Sequence, residues 1–497
     1  MPTNQVLIEE SLDPQDWDAF RDLAHRMLDD MLDYQQQVRQ RPVWQPVPAE
    51  VKDFLKQPLP LEPQSHEQVY QDFHENVLPY PMGNIHPRFW GWVMGNGTLF
   101  TVMAELLAAT MNPNMGGGDH GANYVEIQVL DWLKEMFCYP AEASGLLVSG
   151  ASMANLVGLT VARNTLAGYD LRSKGLRAGP QQMVLYASQE VHSCVHKAAE
   201  LLGLGREALH LIPVNSDYEM DLETLEQAIA DDRAAGLQPF CVVGTSGTVN
   251  TGAIDDLQGI ADICEREHLW FHVDGAIGAV AILAPEVRAC VEGLQRSDSM
   301  ALDLHKWMYM PFEAGCVLVR SEPAHRKAFS LTPEYLAHAE RGLAAGKLWF
   351  SDYGLQLTRG FRALKVWMSI KEHGVQKFGR MIRQNMAQAQ YLAQKIEASP
   401  LLEVMAPVPL NIVCFRYNPG GLDEQALNRL HQELLIRLHE SGIAVPSYTT
   451  LNGSYCLRAA ITNHRSRRED FDLLVEATER LGGEVAAEIL DAEAWDR

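Results

Sequence analysis

Short apolar runs alternate with helical stretches through the middle of the chain, and this alternation constrains the fold more than any other feature. The runs MVLYAS, LHLIPV, FCVVGTSG and LWFHVD have the composition of strands, and stretches such as LETLEQAIADDRAAG have that of helices. Strands and helices that alternate at this spacing form βαβ units. Right-handed crossovers then place the carboxyl ends of the strands along one edge of the sheet. The sequence therefore predicts an α/β fold with a mostly parallel central sheet and helices on both faces.

The segments on either side of this alternation have a different sequence pattern. Residues 13–39 have the spacing of an amphipathic helix that begins at Asp13-Pro14, and proline-rich, extended segments are expected between it and a helix near 65–76. Beyond Gly360, a long helical stretch to residue 398 leads into a region where strand-like and helical patterns are mixed. The predicted parts are an N-terminal helical and extended dimerisation segment (1–88), a large domain (89–375) that opens with helices at 98–111 and 122–137, and a small α+β domain (376–497).

The charge balance and the N-terminus exclude several classes of protein. The chain has 41 Lys and Arg against 64 Asp and Glu, a net charge of −23, which opposes binding to nucleic acid or to an anionic membrane. The N-terminus lacks the basic and apolar regions of a signal peptide, and no clean apolar run reaches the ~20 residues of a membrane helix. We expect a cytoplasmic protein with neither a nucleic-acid nor a membrane partner.

The eight cysteines are scattered, and no CxxC pair occurs among them. This excludes a zinc ribbon and a thioredoxin-type motif. Most of the cysteines lie inside apolar runs, as Cys316 does in GCVLV and Cys414 in NIVCF. They are expected to be buried, reduced thiols.

Two segments carry the strongest chemical signals. Lys306 follows the apolar run SMALDLH, and burial makes a lysine amine nucleophilic because it disfavours the charged form, although most lysines are solvated surface groups. Asp274 ends the apolar strand WFHVD, 32 residues before Lys306. A carboxylate there can hold a protonated pyridine nitrogen, or it can simply cap a helix.

Three turns of small or polar residues follow other predicted strands. The turn SGAS, with Ala151 and Ser152, opens an apolar helix, and a helix N-terminus attracts phosphate. His192, in YASQEVHS, can stack on a flat ring, and Thr245, in VGTSGT, can contact a cofactor oxygen or simply form a turn. His192 and His196 could instead bind a metal, but no HExxH motif or compact third ligand accompanies them, so no metal is predicted.

Taken together and in this order, these segments supply the groups that pyridoxal 5′-phosphate (PLP) needs. The chain resembles the group II PLP-dependent amino acid decarboxylases, of the aromatic-L-amino-acid decarboxylase type. The resemblance covers nearly the whole chain and is carried by HPRFWGWV, VEIQVLDWLKEM, SGAS, VHSCVHKAAELLG, HVDGA, LDLHKW, LTPEYL, RGFRALKVW and LRAAITNHR. It implies the fold-type I architecture, PLP bound in the large domain, and a homodimer with active sites at the interface.

The resemblance also implies roles for individual residues. Lys306 forms the Schiff base with PLP, Asp274 pairs with the pyridine nitrogen, and His192 stacks on the ring. The other implied cofactor contacts are Ala276 and Thr245 near the ring, and Ala151, Ser152 and His305 at the phosphate. Tyr335, in LTPEYL, matches a mobile-loop tyrosine that returns a proton to the substrate carbon. Arg359 and Arg458 match arginines that are common in the family.

The implied reaction is decarboxylation of an L-amino acid to its amine and CO₂, with an aromatic substrate as first choice. Trp92 and Val93 match substrate-pocket positions, and Trp92 suits a planar substrate. Gly116–Gly118 and Gly275 depart from the family pattern, and the triglycine is expected to leave a wider or more mobile pocket.

Several alternatives to this reaction remain. They are an acidic or diamino substrate, an aldehyde-forming relative, a PLP-binding protein without turnover, and a metal hydrolase. Aldehyde-forming relatives carry Phe at the loop tyrosine or Asn at the ring histidine. This chain has Tyr335 and His192 at those positions.

Overall fold

The computed structural model of the protein describes residues 10–331, 339–346 and 348–495. The chain divides after Gly83 into two compact units, which are described separately. Both β-sheets belong to the second unit. The three-part division predicted from the sequence remains a proposal.

Within the described residues, the first unit contains three α-helices, α1 (Trp17–Gln36), α2 (Ala49–Phe54) and α3 (His66–Asn76), and a 3-10 helix at Val38–Gln40. The predicted start at Asp13-Pro14 is wrong, because the carboxylate of Asp16 accepts the N–H groups of Asp18 and Ala19 and so caps α1. Between the two proline-rich runs predicted to be extended, 41–50 and 56–63, the structure has α2, which begins directly after its N-cap Pro48 and overlaps the first run only at Ala49 and Glu50.

The second unit contains two sheets. Its strands are β1 (Phe89–Trp90), β2 (Ser144–Val148), β3 (Met183–Ser188), β4 (Leu209–Ile212), β5 (Gln238–Thr245), β6 (Trp270–Asp274), β7 (Ser299–Asp303), β8 (Gly315–Val319), β9 (Leu402–Val404), β10 (Ile412–Tyr417), β11 (Val445–Leu451) and β12 (Ser454–Ala460). The larger sheet has the order β2-β8-β7-β6-β5-β3-β4, and the smaller one β1-β11-β12-β10-β9. In the larger sheet only the pairings of β8 are antiparallel, which confirms the predicted mostly parallel sheet.

Helices cover the larger sheet. The α-helices in the described part of this unit are α4 (Leu99–Met111), α5 (Gly121–Met136), α6 (Ala151–Leu166), α7 (Leu171–Lys174), α8 (Ser193–Leu201), α9 (Leu222–Ala234), α10 (Leu257–Glu267), α11 (Glu322–Phe329), α12 (Ala363–His373), α13 (Val375–Glu397), α14 (Glu424–Glu440) and α15 (Arg468–Trp495). Every residue of β2, β3, β6, β7 and β8 is buried. Because successive side chains on a strand point to opposite faces, this burial requires cover on both faces. None of the helices in the described part of the chain is long and apolar enough to span a bilayer.

Two predictions about helices can be compared directly with the structure. The helices expected at 98–111 and 122–137 are confirmed as α4 and α5. The helical stretch expected between Gly360 and residue 398 is formed by two helices, α12 and α13, because the chain turns at Gly374. Gly374 has a φ of 69°, in the left-handed region that glycine adopts without steric strain.

The register of three parallel strands positions the candidate site. Thr245, at the end of β5, is the register partner of Asp274, at the end of β6, and Asp274 is in turn the partner of Ala301 in β7. The carboxyl ends of these strands therefore meet at one edge of the sheet, as the sequence predicts.

A buried ion pair joins α5 to the segment before α12. The Arg359 guanidinium lies 2.5 Å from the Glu126 carboxylate, and it also donates to the carbonyl oxygens of Met115 and Leu147, each at 2.7 Å. Both charged side chains are almost fully buried. Arg359 therefore cross-links the fold and does not line the site.

Glu126→Gln should destabilise the protein, because it leaves the Arg359 charge buried without its counterion. Removing one partner of such a pair typically lowers the free energy of unfolding by about 3–5 kcal/mol. Urea unfolding followed by circular dichroism measures the change. The matched control is Glu488→Gln, which breaks the exposed pair with Arg437 and should leave the midpoint nearly unchanged. Equal midpoints for the two variants would contradict this account.

Candidate active site

A cavity of about 320 Å³ opens at the carboxyl ends of β5, β6 and β7. It brings together ten residues predicted from the sequence, namely Trp92, Val93, Ala151, Ser152, His192, Thr245, Asp274, Ala276, His305 and Lys306. The remaining predicted site residue, Tyr335, lies outside the described residues.

The amine of Lys306 is held by a carboxylate that sequence reasoning missed. Lys306 Nζ lies 2.9 Å from Asp303 Oδ2, and Asp303 Oδ1 accepts the N–H of Ala151 at 2.7 Å. His305 Nε2 lies 3.6 Å from the same carboxylate. Asp303 ends β7 and precedes the lysine by three residues, so its position at a strand end was the available signal. It joins the lysine to the start of α6.

The start of α6 is shaped to receive an anion. The helix begins at Ala151 directly after Gly150. Asp303 accepts the N–H of Ala151, and the Gly150 carbonyl oxygen accepts those of Met153 and Ala154. Ser152, in this first turn, lines the cavity. His305 Nδ1 accepts the N–H of Ala314 at 3.1 Å, and burial lowers the pKa of His305. A helix start that carries Ser152 and lies beside the His305 side chain suits a phosphate group.

Asp274 is buried, faces the cavity and is surrounded by neutral donors. Its Oδ2 accepts from Asn155 Nδ2 at 3.1 Å and lies 3.9 Å from the thiol sulfur of Cys194. Its Oδ1 accepts the N–H of Ala276 at 3.2 Å. Asp274 does not cap a helix, because the next helical turn begins only after Gly278. Its carboxylate is thus available to a positively charged group in the cavity.

His192 caps α8 and faces the cavity from the neighbouring turn. Its Nδ1 accepts the N–H of Cys194 at 3.3 Å, which leaves Nε2 as the nitrogen that carries the proton in the neutral ring. Burial lowers the pKa of His192, and the nearby Asp274 carboxylate opposes this shift. The ring is therefore neutral at pH 7.

Thr245 offers a hydroxyl group that no protein group satisfies. Within the described residues, its buried Oγ1 has no hydrogen-bond partner. Its backbone N–H donates to Asp255 Oδ2 at 2.8 Å, a contact that sequence reasoning missed. A buried hydroxyl group held in this way at the cavity wall fits a ligand oxygen.

Arg458 supports the wall of the cavity that carries Trp92 and Val93. Its guanidinium donates to the Trp92 carbonyl oxygen at 2.8 Å and to the Asn250 carbonyl oxygen at 3.0 Å. Trp92 has a φ of 51° and is 51% exposed at the cavity. Arg458 therefore fixes the backbone of the wall.

Glycines that depart from the family pattern allow close packing. A Cβ atom at Gly117 would lie 2.3 Å from the Trp349 ring, and one at Gly116 would lie 2.3 Å from the Leu357 carbonyl oxygen. Within one copy of the chain, the space beside the triglycine is thus filled by Trp349 and Leu357. The predicted effect of the triglycine on the substrate pocket remains a prediction. At Gly275, a Cβ atom would lie 2.6 Å from the Ala279 Cβ.

The predicted alternative of a metal site gains no support from the geometry. In the ranges that the structure describes, no group of three or more His, Cys, Asp or Glu side chains could hold a metal ion. What the cavity gathers is a lysine, a carboxylate at a strand end, a neutral histidine, an unpartnered threonine hydroxyl and a helix start. These groups define a PLP-dependent enzyme of the fold-type I class.

Comparison with known proteins identifies the family. The family model described as "Pyridoxal-dependent decarboxylase conserved domain" matches residues 48–418. The chain therefore belongs to the pyridoxal-dependent decarboxylases and is a PLP-dependent carboxy-lyase.

Individual relatives align with nearly the whole length of this chain. It is 32% identical to an aromatic-L-amino-acid decarboxylase of Bacillus atrophaeus, over 94% of this chain and 96% of that protein. It is 30% identical to a phenylacetaldehyde synthase of Arabidopsis thaliana, over 90% and 93%. A crystal structure of Oryza sativa TDC with PLP and tryptamine superposes with a TM-score of 0.87 at 26% identity, covering 95% of this chain and 99% of that one.

Proposed function

We propose that this enzyme decarboxylates an aromatic L-amino acid to the corresponding amine and CO₂. The observation that carries the proposal is the apolar wall of the cavity, where Trp92 and Val93 lie with Val249 and Ile277. Lys306 is the only Lys or Arg side chain among the described residues of the cavity lining, so an acidic substrate side chain would find no spare cation there. The similarity to the Bacillus atrophaeus enzyme supports the same substrate class.

Different residues of the cavity would bind different parts of PLP. Lys306 would hold the aldehyde carbon and Asp274 the ring nitrogen, and Thr245 and Ala276, which line the same cavity, would contact the ring. Ala151, Ser152 and His305 would hold the phosphate group. When bound, PLP supplies an electron-accepting ring that takes up the electron pair left by departing CO₂.

The protein's own groups then position the substrate and move protons. Asp303, 2.9 Å from Lys306 Nζ, keeps the amine at the cavity edge. The neutral ring of His192 covers one side of the cavity and presents Nε2 as a hydrogen-bond donor. We assign the return of a proton to the substrate Cα to the phenol of Tyr335, with His192 as the alternative donor.

A substrate screen tests the proposed function directly. We expect CO₂ release from L-phenylalanine, L-tyrosine, L-tryptophan or L-DOPA, and little from L-glutamate or L-2,4-diaminobutyrate. Trp92→Ala should raise KM for the aromatic substrate about tenfold, since an aromatic contact contributes up to roughly 1.5 kcal/mol beyond its buried area. Tyr448→Ala, at an exposed aromatic residue, is the matched control, and Lys306→Ala is the inactive reference. A preference for L-glutamate or the diamino acid would refute the aromatic assignment.

Tyr335→Phe tests the reaction type, because it keeps the bulk of the ring and removes the proton donor. Loss of CO₂ should continue, but without the phenol the substrate Cα regains its proton more slowly, so O₂ has time to react there. The variant should then release less amine and more aldehyde, with O₂ and water consumed and ammonia and hydrogen peroxide formed. Amine and aldehyde are measured by chromatography, and peroxide by a coupled assay. If amine forms at the wild-type rate without aldehyde, His192 is the donor.

We propose that the enzyme is a homodimer with shared active sites, and that a second copy of the chain covers α4. This helix has one charged residue, Glu105, and exposes Leu106 (57%), Leu107 (49%) and Met111 (60%). A contiguous apolar surface of this kind is typical of a subunit interface.

Sedimentation velocity tests the homodimer. Leu107→Asp should shift the dimer toward monomer with loss of activity, because it buries a charge in the apolar interface. Leu211→Asp, at an exposed position on β4, should leave both unchanged. A fully active wild-type monomer at assay concentration would refute the proposal.

We also propose a cytoplasmic location. Its support is the state of the cysteines: all eight are free thiols, and six of them are buried. Thiol titration of freshly released, denatured protein should count eight reduced groups. A lower count in protein protected from air would contradict this location.

A further inference from the structure

A chain of hydrogen bonds runs behind the cavity and ends on Asp274. Trp270 Nε1 donates to Ser299 Oγ at 2.8 Å, and Ser299 Oγ lies 2.8 Å from His272 Nδ1. His272 Nε2 lies 2.7 Å from Asn155 Oδ1, and Asn155 Nδ2 donates to Asp274 Oδ2 at 3.1 Å. All five side chains are buried, and Ser299, His272 and Asn155 have no exposed surface.

The carboxylate end fixes the direction of the bonds from Asp274 to Ser299. An indole N–H can only donate, so Ser299 accepts from Trp270, and Ser299 gives its own proton to His272 Nδ1 because the Asp274 end places the proton of the neutral His272 ring on Nε2. A carboxylate can only accept, so Asn155 turns its Nδ2 toward Asp274 and its Oδ1 toward His272. His272 must then carry its proton on Nε2. Burial lowers the pKa of His272 to about 3, so the ring stays neutral and no proton travels along the chain.

The backbone is adapted to this chain of hydrogen bonds. Gly158, one helical turn after Asn155 on α6, faces the His272 ring. A Cβ atom at Gly158 would lie 2.7 Å from His272 Cε1 and 3.1 Å from Ser299 Oγ. Any larger residue would push the ring away from Asn155. The glycine therefore allows the close approach that the hydrogen bonds require.

We infer that Asn155 and His272 are positioning residues that orient the Asp274 carboxylate toward the ring nitrogen of PLP. His272 binds the amide oxygen of Asn155 at 2.7 Å, and Cys194 Sγ accepts from Asn155 Nδ2 at 3.2 Å, so these two contacts fix which way the amide points. Without His272 the Asn155 amide can rotate by half a turn. Its Oδ1 would then face the Asp274 carboxylate in place of Nδ2, and two oxygen atoms that carry negative charge repel each other. With His272 in place, Asp274 keeps a donor on its buried side and directs its remaining lone pairs into the cavity. This inference rests on the proposed role of Asp274.

The test compares two ligands that differ only at the ring nitrogen. Dissociation constants are measured by fluorescence titration of the apoenzyme with PLP and with its 1-deaza analogue, in which a C–H replaces the nitrogen. His272→Phe and Asn155→Leu should weaken PLP binding about ten- to hundredfold, the loss expected for a hydrogen bond to a charged group. Binding of the analogue should change less than about twofold, because it makes no contact that Asp274 can strengthen.

Three further variants separate positioning from a merely structural role. His272→Gln, whose amide can donate to Asn155, should restore most of the preference for PLP over the analogue. His325→Phe, at a buried histidine bonded to Ser144 and Tyr353, should leave the preference at its wild-type value even if stability falls. Asp274→Asn should abolish the preference and serves as the reference.

The outcomes distinguish failure of the inference from failure of the proposed site. If His272→Phe and Asn155→Leu weaken both ligands equally, or neither, the hydrogen-bond chain only supports the core and the inference is overturned. If Asp274→Asn itself leaves the preference unchanged, the role of Asp274 in the proposed function is wrong, and the inference is overturned with it.

Discussion

The parallel pairing of β5, β6 and β7 is the constraint on which the cavity depends. The register that makes Thr245 the partner of Asp274 also sets both residues at the same height on the sheet edge. β7 ends beside them at Asp303, and Lys306 follows within one turn. A slip of one residue in any of these strands would turn the site residue toward the opposite face of the sheet. The positions of the site residues therefore depend on the register of these three strands.

The two carboxylates at this edge have different surroundings and can therefore do different work. Asp303 lies against the Lys306 amine, so its charge is already engaged by a protein cation. Asp274 accepts only from neutral groups, the Asn155 amide, the Ala276 backbone and the Cys194 thiol. Its charge remains available to a ligand. Residue type alone does not separate these roles, since both are aspartates at the ends of adjacent strands.

Much of the fold and of the site follows from the sequence because it depends on local patterns. Strand and helix periodicity predicts the sheet, and short motifs predict Lys306, Asp274, His192, Thr245 and the turn with Ala151 and Ser152. The other predicted residues of the cavity, Trp92, Val93, Ala276 and His305, are implied by the family resemblance. What the sequence does not reveal depends on contacts between distant segments. Asn155 lies in an apolar helix and His272 in an apolar strand, and only the packing of α6 on β6 brings them together.

The same reason explains the errors made at individual positions. Asp13 and Asp16 are both acceptable helix caps, and only the backbone geometry selects Asp16. The sequence likewise does not show that Gly117 packs against the Trp349 ring, which lies more than two hundred residues away along the chain.

The groups proposed to carry the reaction and those proposed to select the substrate belong to different sheets. Lys306, Asp274 and Thr245 are held by the seven-stranded sheet. Trp92 follows β1, which pairs with β11 in the smaller sheet, and its carbonyl oxygen is bound by Arg458 of β12. A change in the Trp92 wall can therefore alter the fit of a substrate side chain while the strand ends of the larger sheet stay in place. This separation gives a physical reason why one PLP-binding framework can support decarboxylation of amino acids with different side chains.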